Sequence, residues 1–73
     1  MGIKKHLLIT AHSNVSWKDA IVKAIAETSK TIDYLSEVKI IEQRANIDGN
    51  KILEYFVDLD ITFTVDLNRK NSN

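Results

Sequence analysis

The sequence predicts an α+β fold, β-α-β-β in order, with a three-stranded antiparallel sheet wrapped around one helix. Three observations lead there. Residues 17–33 carry apolar side chains at three- and four-residue spacing, and residues 51–66 alternate apolar and polar with a period of two. Between that alternation and an earlier β-rich run stands Asp48-Gly49-Asn50, a hairpin signal because Gly and Asn tolerate positive φ.

Taken in order, residues 3–11 (I-K-K-H-L-L-I-T-A) are short, apolar and β-rich, and predict a first strand. His12 to Val15 form a polar connection. Ser16 is a helix N-cap: its hydroxyl can accept from the N–H of Asp19, and Asp19 can reach back as a short stand-in for the usual Glu. Trp17, Ala20, Ile21, Ala24, Ile25, Thr28 and Ile32 then make one face of a helix over 17–33, with Lys18, Lys23, Glu27 and Lys30 on the wet side. A second strand is expected at 36–47. Val38 and Ile40 share one parity and Ala45 and Ile47 the other, which predicts a β-bulge near Glu42 to Arg44. In the third strand Tyr55, Val57, Leu59, Ile61, Phe63 and Val65 form an apolar face. Glu54, Asp58, Asp60, Thr62, Thr64 and Asp66 form a polar face that Phe56 interrupts. Residues 67–73 read as a polar tail, so the domain core is 3–66.

Size and charge bound the function. A single domain is expected over 1–73, and a domain this small buries only about 60% of the surface its unfolded chain exposes. Such scaffolds need a staple, and without cysteine or a Cys/His cluster the staple expected is a partner subunit. A 17-residue helix covers about 25 Å. The third strand runs roughly 50 Å, so part of its apolar face requires another surface. Ten basic against ten acidic residues argue against nucleic acid as a partner. No apolar run reaches the ~20 residues of a membrane span, and the opening segment is too short in apolar residues for a signal peptide, so a cytoplasmic protein is expected.

The run from Ser16 to Ile32 (S-W-K-D-A-I-V-K-A-I-A-E-T-S-K-T-I), the run from Val38 to Arg44 (V-K-I-I-E-Q-R), the D-G turn and a third strand ending F-x-V resemble the dodecin family. The resemblance spans residues 4–66. It implies a β-α-β-β subunit in a spherical homododecamer, a non-enzymatic small-ligand store that holds flavins (riboflavin, FMN or FAD) between tryptophans of symmetry-related subunits. Counted from E-Q-R, the stacking tryptophan of the family falls at Glu37, and along the third strand its flavin-contacting glutamine falls at Phe56. One departure removes an aromatic platform and the other an amide that both donates and accepts. Weak or absent flavin affinity is therefore expected.

The candidate ligand-binding residues are Glu37, Phe56, Arg44 and Gln43. Glu37 is read as a solvated or intersubunit ion-pairing residue, or as a cation ligand or pocket-closing group near a symmetry axis. Phe56 is read as an intersubunit filler or a replacement platform, and Arg44 as reaching a phosphate in flavin-binding relatives. Glu42 and Arg44 are expected to pair with charges of neighbouring subunits. Trp17 is read as packing under the sheet edge. The alternative function is a flavin-free shell, structural or binding Ca²⁺ or Mg²⁺. Asp58 and Asp60, about 7 Å apart on one strand face, would then meet their counterparts around a symmetry axis. His6 and His12 lack a nucleophile at a catalytic spacing, so no enzymatic role is expected.

Overall fold

Alternation over 51–66 sorts the third strand into two faces, and the core follows from that sorting. Val57, Leu59 and Ile61 are all but fully buried, and with Ala20 of the helix they make up the buried hydrophobic core of the described residues. The computed structural model describes residues 2–66; the expected tail at 67–73 lies outside them. Its elements are β1 (Gly2–Ser13), α1 (Trp17–Thr28), β2 (Leu35–Asp48) and β3 (Lys51–Asp66). The sheet is antiparallel with order β1-β3-β2, so the longest strand is central and both others are edges. The α+β reading and the element order hold. The first strand is longer than expected, taking in His12 and Ser13, which pair with Phe56 and Tyr55.

The helix opens as its sequence predicts. Ser16 is extended and its hydroxyl accepts from the Asp19 N–H at 2.9 Å. The reciprocal half is different: the Asp19 carboxylate accepts instead from the Ser13 hydroxyl at 2.6 Å and pairs with Lys23 at 3.1 Å. Those two contacts, the Ser13 bond first, hold its pKa below the ordinary carboxylate value. The bond ties the end of β1 to the first helical turn.

The helix ends at Thr28, five residues before the expected 33. Ser29, Lys30 and Thr31 explain the difference. The Ser29 hydroxyl donates to the Ala26 carbonyl at 2.9 Å, and the N–H groups of Lys30 and Thr31 bond three residues back, to Glu27 and Thr28. Hydroxyl side chains that serve their own backbone compete with helix propagation. Tyr34, at φ 62°, then turns the chain into β2.

Val38 faces Ile61 and Ile40 faces Leu59, but the next pair is Glu42 with Asp58, so Ile41 is the extra residue. The bulge predicted from parity exists, one position before the expected Glu42–Arg44. Further register shifts fall between Leu35 and Glu37 and between Asn46 and Ile47. The hairpin turns at Gly49, whose φ of 64° an L side chain rarely adopts.

Twelve helical residues cover about 18 Å, whereas the protomer is 54 Å long. Both ends of the helix-side sheet face therefore project past the helix. Ile47 and Ile52 oppose each other near the hairpin, 66% and 42% exposed, and Ile3 is 46% exposed at the far end.

Candidate functional site

The sheet face away from the helix collects nearly every charged group singled out in the sequence. Cross-strand neighbours of an antiparallel sheet share a face. His12, Phe56 and Arg44 therefore form one row across the three strands, and Thr10, Asp58 and Glu42 the next. Phe56 sits between two planar groups, the Arg44 guanidinium 5.6 Å from its ring centroid and the His12 ring at 6.0 Å. A carboxylate anchors each: Arg44 donates to Asp58 at 2.7 Å, and His12 contacts Glu54 at 2.9 Å. Phe56 interrupts the polar face as expected, and the Arg44 guanidinium lies over its ring face.

Asp58 also accepts from the Thr10 hydroxyl at 2.9 Å. The Arg44 hydrogen bond first, and the Thr10 bond second, hold the Asp58 carboxyl below the usual range. Arg44 was expected to pair with a neighbouring subunit; its partner is Asp58 of its own chain. Asp60 contacts His6 Nδ1 at 2.9 Å. Asp58 and Asp60 thus share a face, each with a side-chain partner of its own chain in place, Arg44 for the first and His6 for the second. Among the described residues no group of three His, Cys, Asp or Glu side chains could hold a metal ion within one chain.

The four candidate ligand residues do not converge in one protomer. Gln43 lies opposite Val57, on the helix side of the sheet, so it does not join Arg44 and Phe56. Glu37 pairs with Thr62, six residues along β3 from Phe56, which is roughly 20 Å. Glu37 instead borders a cleft of about 200 Å³ between α1 and β2, walled by Ile25, Leu35, Val38 and Ile61. No sequence signal pointed to this cleft, because it depends on where the helix stops. Any site that uses both Glu37 and Phe56 must draw them from different subunits.

Trp17 packs as the sequence suggests. Its ring meets Tyr55 edge-on at 4.9 Å, and Nε1 donates to the Arg44 carbonyl at 2.9 Å. The histidines form no relay. Asp60 at 2.9 Å and the Thr62 hydroxyl at 3.5 Å both approach the same nitrogen of His6, Nδ1, whereas a base-activated nucleophile needs its base and orienter on opposite ring nitrogens.

Fold and face define a class: a small one-helix βαββ sheet protein whose polar face carries three side-chain pairs of its own and whose apolar face is larger than its helix can cover. The dodecin family model matches residues 3–66, and the chain belongs to the dodecin family. Solved structures agree. The tt0972 protein of Thermus thermophilus is 26% identical, with a TM-score of 0.83, covering 90% of this chain and 97% of that one. Calcium dodecin of Mycobacterium tuberculosis, described as a calcium-chelating immunodominant antigen, is 25% identical with a TM-score of 0.75, covering 93% and 97%. The dodecin of Streptomyces davaonensis, at 22% identity and TM-score 0.81 over 89% and 96%, shares the fold. A search of curated proteins gave no match. No helix of the described residues is long and apolar enough to cross a membrane.

Proposed function

We propose that this chain is the subunit of a non-enzymatic homo-oligomeric shell of the dodecin type, a dodecamer, that binds or sequesters a small ligand. The observation that carries the proposal is the imbalance of apolar surface. Four hydrophobic residues are buried among those described, while ten large ones, Leu8, Ile41, Ile47 and Leu53 among them, stand more than 40% exposed. Exposed apolar area on that scale marks an interface. A flavin-type ligand would sit between subunits, since Glu37 and Phe56 are too far apart to share a site within one.

Affinity for flavin is weak in this reading. Glu37 provides a carboxylate where an aromatic platform would stack, and it would repel a flavin phosphate. Phe56 already has the Arg44 guanidinium over its ring, so a stacking ligand must displace or share that contact. The likeness to calcium dodecin favours a second reading, in which Asp58 and Asp60 take part in a Ca²⁺ or Mg²⁺ site. That requires oxygen ligands from neighbouring subunits and release of Arg44 and His6.

Native mass spectrometry of the purified protein tests both. A twelve-subunit mass carrying riboflavin or its phosphates supports the flavin reading with stronger binding than argued here. A bare twelve-subunit mass that gains thermal stability with calcium supports the cation reading. A monomer refutes the shell.

A further inference from the structure

Both edges of the sheet are strands, β2 with its Arg44 carbonyl taken by Trp17, and the two edges are not equivalent. β2 is broken by three register shifts. β1 pairs with β3 in unbroken register over all twelve of its residues, so its other side presents an equally regular row of N–H and C=O groups. Native proteins protect such edges by proline, bulges, charged side chains (lysine above all) or a covering element, because an open edge templates pairing with another chain. β1 contains no proline and no bulge, and its two lysines, Lys4 and Lys5, lie together near its start, so Leu7 to Ser13 carries neither lysine nor a carboxylate. Beside it runs a groove of about 330 Å³ between the strand and α1, floored by Ala11, Ala20 and Ala24 and rimmed by Lys23 and Glu27. A groove between an edge strand and a helix is the geometry that accepts an added strand.

We infer that the occupant is β1 of a second copy, paired antiparallel about a two-fold axis through Leu7, so that two protomers share one six-stranded sheet. Self-pairing must keep each face with its own kind, because a slip of one residue exchanges the helix-side and outer residues. With Leu7 opposite itself, Lys5 meets Ile9, Ile3 meets Ala11, Lys4 meets Thr10 and His6 meets Leu8. No like charges oppose each other. Ile3, 46% exposed in the protomer, enters the partner copy's groove over Ala11, and Leu8, 69% exposed, gains a neighbour. Lys5 arrives on the helix side at the Glu27 end of the groove, with complementary charge. The register centred on Leu8 instead places Lys4 opposite His12 and sets Lys5, a charge, over the alanine floor.

This inference rests on the proposed self-assembly but can fail without it. The chain has no cysteine, so introduced thiols are the sole ones. The double variant Ile3→Cys/Ala11→Cys and the control Lys5→Cys/Ala11→Cys are exposed to mild oxidant and to a short bis-maleimide in the intact assembly. Non-reducing gels read the product, and native mass spectrometry reads the assembly. Covalent dimers from the Ile3/Ala11 pair and not from the control are expected. Dimers from the control alone would overturn the Leu7 register. An assembly of native size with neither pair cross-linked would overturn edge pairing and leave the shell standing. Ile3→Lys in the otherwise unaltered chain provides an independent readout: charge in the groove should weaken the assembly at low protein concentration, and an assembly unchanged in mass on dilution counts against the pairing.

Discussion

Trp17→Phe separates packing from ligand stacking for the one tryptophan of the chain. The substitution keeps a six-membered ring against Tyr55 and deletes the Nε1–H donated to the Arg44 carbonyl at 2.9 Å. A neutral hydrogen bond of that kind contributes about 0.5–1.5 kcal/mol net. The missing five-membered ring removes buried apolar surface worth roughly 1 kcal/mol. The sum, about 1.5–2.5 kcal/mol, is large for a domain whose buried core is four residues. At about 4–8 °C per kcal/mol for this size, Tm should fall by roughly 6–20 °C at fixed protomer concentration. A separate cycle of Trp17→Leu and Tyr55→Leu, which removes the edge-on pair, should reveal a coupling of about 0.5–1.5 kcal/mol. Thermal melts by circular dichroism, run beside riboflavin titrations, test the argument. An unchanged Tm together with altered riboflavin binding would show that Trp17 serves a ligand and refute the packing role.

Leu59→Ala removes the centre of the core, where Leu59 is fully buried between β1 and β2 partners, and should cost about 2–5 kcal/mol in urea melts. Gly49→Ala meets open space at its Cβ but keeps a φ of 64°, so it should cost roughly 1 kcal/mol in the same assay, through backbone strain alone. Asp58 has its folded-state pKa lowered by Arg44 and Thr10. Its contribution to stability is therefore full above the unfolded value near 3.9 and is lost as pH falls through the lower folded value. Asp58→Asn should flatten the acid limb of a Tm-against-pH profile, and an unaltered limb would show that Arg44 does not hold the carboxylate in solution. Ser16→Ala deletes the N-cap acceptor and should lower stability by about 1 kcal/mol, measured as a shift of the urea midpoint without a change in slope.

What was legible in the sequence depended on local periodicity. The alternation from Tyr55 to Val65 located the buried face because the side-chain period of a strand is two, whatever it pairs with. The Ser16 cap, the Gly49 turn and the packing of Trp17 were legible for the same reason, since each depends on a few neighbouring residues. The helix end was not, because periodicity continues to Ile32 while the Ser29 and Thr31 hydroxyls redirect the backbone. The placement of the candidate residues was not legible for a related reason. Parity showed that β2 carries a bulge, but only the register with β3 shows that Ile41 is the extra residue. In that register Arg44 lies beside Phe56 and Gln43 falls on the helix side. Which member of E-Q-R stands next to Phe56 is thus a matter of cross-strand register, which no local period reports.

The two faces of the sheet make opposite demands on the assembly. On the outer face Arg44, His6 and His12 each find a carboxylate within the protomer, so that surface gains little electrostatically from a partner. On the helix side a helix of about 18 Å leaves both ends of a strand of roughly 53 Å without cover. In the proposed shell the drive to associate therefore resides in Ile3, Ile47 and Ile52 and in the edge of β1. In the proposed reading, Glu37 and Phe56 leave the surfaces that would build the shell unchanged and alter those that would hold a flavin inside it.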